Sequence, residues 1–396
     1  MKSSVKVLKR IGVALAILVV VVYSGACLIL SQLTVYTHGS VDLTPGNVSV
    51  PSERTLEWAD RSPLLDSVVG NLADANGNHL EYGKKEVDQL IFQLAAGRNI
   101  EEVNEILRNA EPWAKPGPGR NYEFTLCGLT LILYRFGETP EILHRETAEH
   151  IVDHLMTAKG VGPEPHPATL GGILPLPIKG TENLILMCEG SRYLTNQWLA
   201  QHGNSDPEYD NARNGQERLL LEHLLGMERA GVHEYNSIPY EGYTLRALLN
   251  LASFAEGAVR ESACRILDRM TWTYALGSLD LRRYAPFRRQ PGRANETRLD
   301  AHYQTAMMKG WMSLAGVEGL EVRHVPHHAI WVGLTSYRPP DAVFEWVMSK
   351  PADYFVQIGH GSDGSPEIYS GGPGYLITAG GVANAVLRDN VARPTT

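Results

Sequence analysis

The sequence predicts a mainly α protein. An N-terminal transmembrane helix comes first, then helical hairpins closed into an α/α toroid, then a short antiparallel β segment. Three observations carry this reading. A basic flank opens onto a long apolar run. From about residue 63 to 322, amphipathic runs alternate with Gly/Pro punctuation. Beyond that the composition turns β-prone.

The N-terminal element is the plainest. Lys2, Lys6, Lys9 and Arg10 precede an apolar run from Ile11 to Leu30, about 20 residues, the length that crosses a hydrocarbon core. The basic flank stays on the cytoplasmic side, so the chain after residue 33 is expected outside the cytoplasm, periplasmic or extracellular. The run exceeds a typical signal-peptide core, which favours an uncleaved signal-anchor over residues 1–33. Residues 34–62 are rich in Gly, Ser, Pro and Thr and read as a linker.

The toroid assignment covers residues 63–322. Its runs are Lys85–Ala110, Asn121–Phe136, Pro140–Ala158, Thr181–Ala200, Asn214–Ala230, Pro239–Glu256, Val259–Leu276 and Arg298–Leu314. Short Gly/Pro links between so many helices predict antiparallel hairpins, arranged as a toroid or a large irregular bundle. Residues 323–396 form the β-rich part. His324–Tyr337, Val343–Met348, Tyr354–Ile358 and Tyr375–Thr378 read as strands, and Gly371–Gly374 as a turn. They make either a small sheet packed on the helices or a truncated β-sandwich.

Composition sets limits on function. With 43% hydrophobic and 20% charged residues the chain is ordinarily globular, and a net charge of −8 argues against a nucleic-acid partner. Cys27, Cys127, Cys188 and Cys264 fit no zinc spacing. His150 and His154 stand four apart, without an HExxH motif. No P-loop, GxSxG or dinucleotide fingerprint occurs, and no cofactor is expected.

The densest chemistry lies in Val232–Tyr243, VHEYNSIPYEGY. Gly231 ends one helix, Ser237 can cap the next, and Pro239 suits its first turn. This places His233, Glu234, Tyr235 and Asn236 on a connection, with Tyr240 and Tyr243 on one face of the following turn. Hydroxyl, imidazole, amide and carboxyl groups within twelve residues are those that move protons. A second group opens the Thr181 run, where Glu182 and Asn183 occupy a helix N-terminus that favours anions. Glu182, Glu189, Arg192 and Asn196 share a stripe there. A third is Arg282–Arg293, with Arg282, Arg283, Arg288, Arg289 and Arg293 and no acid, a loop suited to an anionic partner.

On these residues the chain resembles the α/α-toroid polysaccharide lyases of the alginate lyase and heparinase II/III kind. The resemblance aligns Asn183 with the family's Asn. It aligns Tyr240, 57 positions on, with the catalytic Tyr, and Tyr235 competes for that role. Leu184 stands where the family commonly has His, which moves the base role to His233 or a tyrosine. The resemblance implies β-elimination at a uronate and an anionic polysaccharide as partner, without a metal. Tyr240, Asn183, His233 and Tyr235 would do the chemistry. Glu182, Arg192, Glu234, Asn236, Tyr243, Arg282, Arg283, Arg288 and Arg289 would hold the glycan. A glycoside hydrolase using a carboxylate pair such as Glu182 and Glu234, and a non-catalytic glycan-binding scaffold, are the alternatives.

Overall fold

The computed structural model describes residues 2–32, 80–83, 86–112, 123–156, 169–170, 174–175, 182–232, 235–237, 240–284, 287–288, 303–317, 330–358, 367–380 and 394–395. Helix α1 spans Lys2–Gln32, and its Lys9–Ile29 stretch is long and apolar enough to cross a membrane. Along that stretch Ile11, Leu15, Val19 and Val22 are each more than half exposed, as befits side chains meant for lipid or for a signal sequence.

The helical region is built from α2 (Val87–Ala96), α3 (Ile100–Asn109), α4 (Glu123–Phe136), α5 (Arg145–His150), α6 (Glu182–Gln201), α7 (Gln216–Ala230), α8 (Tyr240–Phe254), α9 (Gly257–Leu276) and α10 (Tyr303–Leu314). Two of the expected runs are divided. Lys85–Ala110 becomes α2 and α3, because Gly97 caps α2 at φ 64° and Asn99 follows at φ 48°. Within Pro140–Ala158, α5 runs into a π-helical turn, Ile151–Leu155. The other helices match their expected runs within a few residues at each end.

Side-chain contacts give the layering. Tyr134 of α4 donates to the Leu194 carbonyl of α6 at 2.8 Å, and Cys127 of α4 pairs with Ser191 of α6. Gly190 of α6 abuts Leu251 of α8, and Gln197 donates to Phe254 O at 2.7 Å. Phe124 of α4 meets Tyr243 of α8 edge-on at 4.6 Å, and Asn250 donates to Cys127 O at 2.9 Å. In each pair the register rises along both helices, so α4, α6 and α8 run parallel. Twelve of the fifteen α8 residues are buried, which makes this the inner layer. The return path lies outside it. After α6 the chain runs back, with Asn211 beside Tyr193 and Gln216 beside Glu189. Helix α3 buries only Val103, Asn104 and Leu107, one stripe of an amphipathic helix.

The C-terminal part corrects the expectation in two places. Ile330–Leu334 is helix α11, within the His324–Tyr337 run expected as strand, and Asp341–Met348 is helix α12. In α12 the buried set is Val343, Phe344 and Val347, which is helical spacing. Asp341 follows Pro339 and Pro340 and favours a helix start. Tyr354–Ile358 (β6), Glu367–Gly372 (β7) and Tyr375–Gly380 (β8) do form an antiparallel sheet in the order β6-β7-β8. Short ladders occur earlier: β1 (Thr169–Leu170) with β2 (Leu174–Pro175), and β3 (Ser278–Leu279) with β4 (Arg282–Arg283). Phe287–Arg288 (β5) pairs with Pro394–Thr395 (β9).

Sheet and helices are joined at the C-terminus of α9. A helix leaves its last carbonyls without intrahelical donors. Here Ala275 O accepts from Lys350 Nζ at 2.5 Å, Leu276 O from the Tyr354 hydroxyl at 2.5 Å, and Gly277 O from Arg283 Nη1 at 2.8 Å. Lys350 also donates to Trp346 O at the end of α12, at 2.5 Å. One buried ammonium thus serves two helix C-termini, where the helix dipole favours positive charge.

Candidate functional site

The site begins where α7 ends. Gly231, at φ 82°, donates its N–H to Met227 O at 2.8 Å and turns the chain out of the helix. Tyr235 and Asn236 then form a turn, with Asn236 at φ 52°, a left-handed conformation that Asn tolerates. Ser237 O accepts the Glu241 N–H at 2.9 Å and opens α8, while the Ser237 hydroxyl is buried without a hydrogen bond and does not cap the helix. The Glu241 carboxyl instead accepts from the Asn236 N–H, so the turn is held from the helix side.

The facing wall is the β3–β4 hairpin. Its two loop residues, Asp280 and Leu281, have φ 50° and 59°. A two-residue loop with both φ positive matches the twist of the flanking strands. The hairpin register pairs Ser278 with Arg283 and turns Arg283 inward. The Arg283 guanidinium is buried. It donates to Gly277 O at 2.8 Å, to the Tyr369 hydroxyl at 2.8 Å and to Glu367 Oε1 at 3.3 Å. Tyr369 in turn donates a short hydrogen bond to Glu367. Asn236 Nδ2 donates to Tyr284 O at 2.9 Å and ties the two walls together.

Between the walls is a cavity of about 20 Å³, room for one or two water molecules. Tyr235, Asn236, Glu241, Arg269, Arg283 and Glu367 form most of its polar lining, and Met227, Val232, Ile266 and Met270 much of its apolar lining. Burial is the main force on the Glu241 carboxyl. The nearby Glu367 charge adds to it, Arg283 and the Asn236 N–H oppose it, and the result is pushed up to about 8. Glu241 therefore keeps its proton at neutral pH. Arg283 is held even more firmly in its charged form, because Tyr369, Glu367 and Glu241 outweigh its burial. Burial pulls Lys350 down to about 8.

The structure brings some expected residues together and separates others. Tyr235, Asn236 and Arg283 share the cavity. Glu182 and Asn183 are buried in the first turn of α6, where Asn183 Oδ1 accepts the Leu184 N–H at 2.9 Å. Because α6 and α8 run parallel, this turn lies at the same end of the inner layer as Tyr240 and Glu241. Tyr240 is half-buried, and Tyr243 is buried edge-on to Phe124. Neither lines the cavity. Arg192 lies deeper in α6, buried 3.5 Å from Glu189, and Arg282 sits over the Tyr284 ring at 5.6 Å. His233, Glu234, Arg289 and the side chain of Arg288 lie outside the described residues, so their placement adds nothing to the site. Of the expected stripe, Glu189 accepts from Gln216 and Asn196 donates to Asn211, both contacts of the helical layers.

Sequence reasoning missed Glu241, Glu367, Tyr369 and Arg269. Glu241 lay within the motif, hidden between Tyr240 and Tyr243. Glu367 is 84 positions beyond Arg283, and only the fold joins them. Cys127, Cys188 and Cys264 are buried free thiols. The His150 and His154 rings are 5.0 Å apart, with His150 against Ala110 O and His154 against Glu111. Among the described residues no group of three His, Cys, Asp or Glu forms a metal-ligand set. No family model, curated protein or solved structure matches this chain.

Proposed function

We propose that this protein is a membrane-anchored, lyase-like enzyme that cleaves a uronate-containing glycan by β-elimination. The observation that supports it most is the gathering of Tyr235, Asn236, a protonated Glu241 and Arg283 around one cavity, at the end of the inner layer that also holds Asn183 and Tyr240. Parallel inner helices with returning outer ones fit an α/α toroid, and in this reading the ring closes around that end. The N-terminal helix anchors the chain, with the remainder outside the cytoplasm.

The chemistry has three requirements. The uronate carboxylate must be neutralised so that its C5 proton can leave. A neutral Glu241 and the amides of Asn183 and Asn236 are donors suited to an enolate-like charge, and Arg283 adds a fixed positive field. A base must take the C5 proton, leaving its electron pair to form the C4–C5 double bond. An acid must protonate the departing O4. One tyrosine, Tyr240 or Tyr235, takes the first proton and returns it to the leaving oxygen.

One observation favours a second reading. Glu241 and Glu367 place two carboxyl groups on one cavity, Glu241 raised by burial and Glu367 paired with Arg283, two environments of the kind that divide the roles in a glycoside hydrolase. A single incubation of the full chain in detergent with anionic polysaccharides separates the readings. Ultraviolet absorbance of an unsaturated product, rising with reducing ends, is expected. Reducing ends without that absorbance would establish hydrolysis instead. Retention on the glycan with neither would leave a binding scaffold.

A further inference from the structure

Outside α1, three of the most exposed large apolar side chains among the described residues lie on the sheet β6-β7-β8: Phe355 at 67%, Ile377 at 65% and Tyr375 at 40%. The register sets Phe355 opposite Ser370 and Ser370 opposite Ile377, so these three make one row across the sheet. Alternate residues of a strand share a face, which puts Gln357, Ile368 and Tyr375 on the same side as that row. Within the strands this face carries no charged residue. Asp353 stands at its rim, 3.3 Å from the Tyr375 hydroxyl. The opposite face packs on the helices, where Tyr354 donates to Leu276 O and Tyr369 accepts from Arg283. A sheet packed on one side presents polar residues on the other when that side meets water, and Phe355 and Ile377 depart from that rule.

Size and charge choose what covers this face. Three strands of about six residues present on the order of 300 Å², whereas a stable pair of proteins buries about 800 Å² on each partner. A second copy is therefore not held by this face alone. An anionic glycan needs cations for its carboxylates; the face has none, and Asp353 repels it. A bilayer needs neither a large area nor a cation, and the chain brings one with it. Residues 33–79, between α1 and Leu80, reach at most roughly 160 Å even fully extended, so docking on the bilayer is an intramolecular event in which a weak apolar contact suffices. We infer that this face docks on the membrane that α1 crosses, with Phe355 and Ile377 entering the acyl boundary and the Tyr375 hydroxyl at headgroup level. The inference rests on the reading of α1 as an uncleaved anchor, and it fixes which side of the folded region faces the lipid.

Spin-label depth measurements on the full chain in phosphatidylcholine vesicles test this. Cys127, Cys188 and Cys264 are buried, so Cys27→Ser leaves the surface clear for a nitroxide on Ile377→Cys. Arg145→Cys on α5, where the side chain is 88% exposed, is the reference. The ratio of collisions with oxygen to collisions with an aqueous nickel chelate is expected to be about fivefold or more higher at 377 than at 145. Gln357→Cys, on the same face, gives the same reading if Ile377→Cys fails to fold. Equal ratios at 377 and 145 would overturn the inference. So would protection from both agents, which means that protein covers the face; a short label-to-label distance would then identify a second copy, and its absence another segment of this chain. Protection that appears only on adding an anionic polysaccharide would overturn it too, in favour of a glycan surface. Carbonate extraction of the same vesicles separates the two readings. A chain that resists extraction while its 377 label stays aqueous keeps the anchor and loses the docking, and a chain that is extracted loses both.

Discussion

Glu241 holds its proton because the fold has taken it out of water and set it near Glu367. Its carboxyl is raised from 4.5 to about 8, so the native state binds a proton that the unfolded chain releases. The stabilisation this gives is complete below pH 4.5 and declines as pH rises. It is gone above pH 8, a change on the order of 5 kcal/mol. Denaturant titrations of wild type and Glu241→Gln from pH 4.5 to 9 check this: the variant should lose most of the slope. Arg283 is the opposite case. Arg283→Met leaves Glu367 buried without its counter-charge and should cost about 3–5 kcal/mol by chemical denaturation. Tyr240→Phe and Tyr235→Phe should both fold as wild type. One of them should lower elimination about hundredfold or more, the size of a lost acid/base group.

Among the elements, α9 carries the most consequence. Its last two carbonyls and that of its capping residue Gly277 are taken by Lys350, Tyr354 and Arg283, residues from the segment after α12, from β6 and from β4. These bonds place β7 beside the helices and so bring Glu367 and Tyr369 to Arg283. Lys350→Met should destabilise the protein by about 1–3 kcal/mol, because Ala275 O and Trp346 O lose a buried donor. Tyr354→Phe should cost about 1 kcal/mol, measured in the same way. Little of this was legible in the sequence. Helix periodicity gave the inner helices well, since most of their apolar residues recur at helical spacing. Val343–Met348 misled because a short apolar run has the same composition in a strand and in a buried helix. Contacts between Arg283 and Glu367 or between Lys350 and Ala275 leave no local pattern, because capping of this kind depends on elements distant in sequence. Tyr235 and Asn236 were legible, since a turn crowded with polar groups between two helices has few structural reasons to exist.

For the whole molecule, two parts carry separate expectations. The Lys9–Ile29 stretch, apolar and exposed, should keep the full chain in the membrane fraction after an alkaline carbonate wash. Release by that wash would show that the helix is removed or does not span. A protease added outside intact cells should reach the remainder if the basic flank of Lys2, Lys6, Lys9 and Arg10 stays inside. The central claim is that the cavity around Glu241 is where elimination happens. The measurement that tests it most directly is the elimination rate of Glu241→Gln against wild type from pH 6 to 9. A neutral amide replaces a neutral carboxyl, so the variant should keep its rate within about tenfold at pH 7. It should also lose the wild-type decline through pH 8 that ionisation of Glu241 causes. A variant that shows the same decline as wild type, or that loses activity more than about hundredfold at pH 7, would contradict the account.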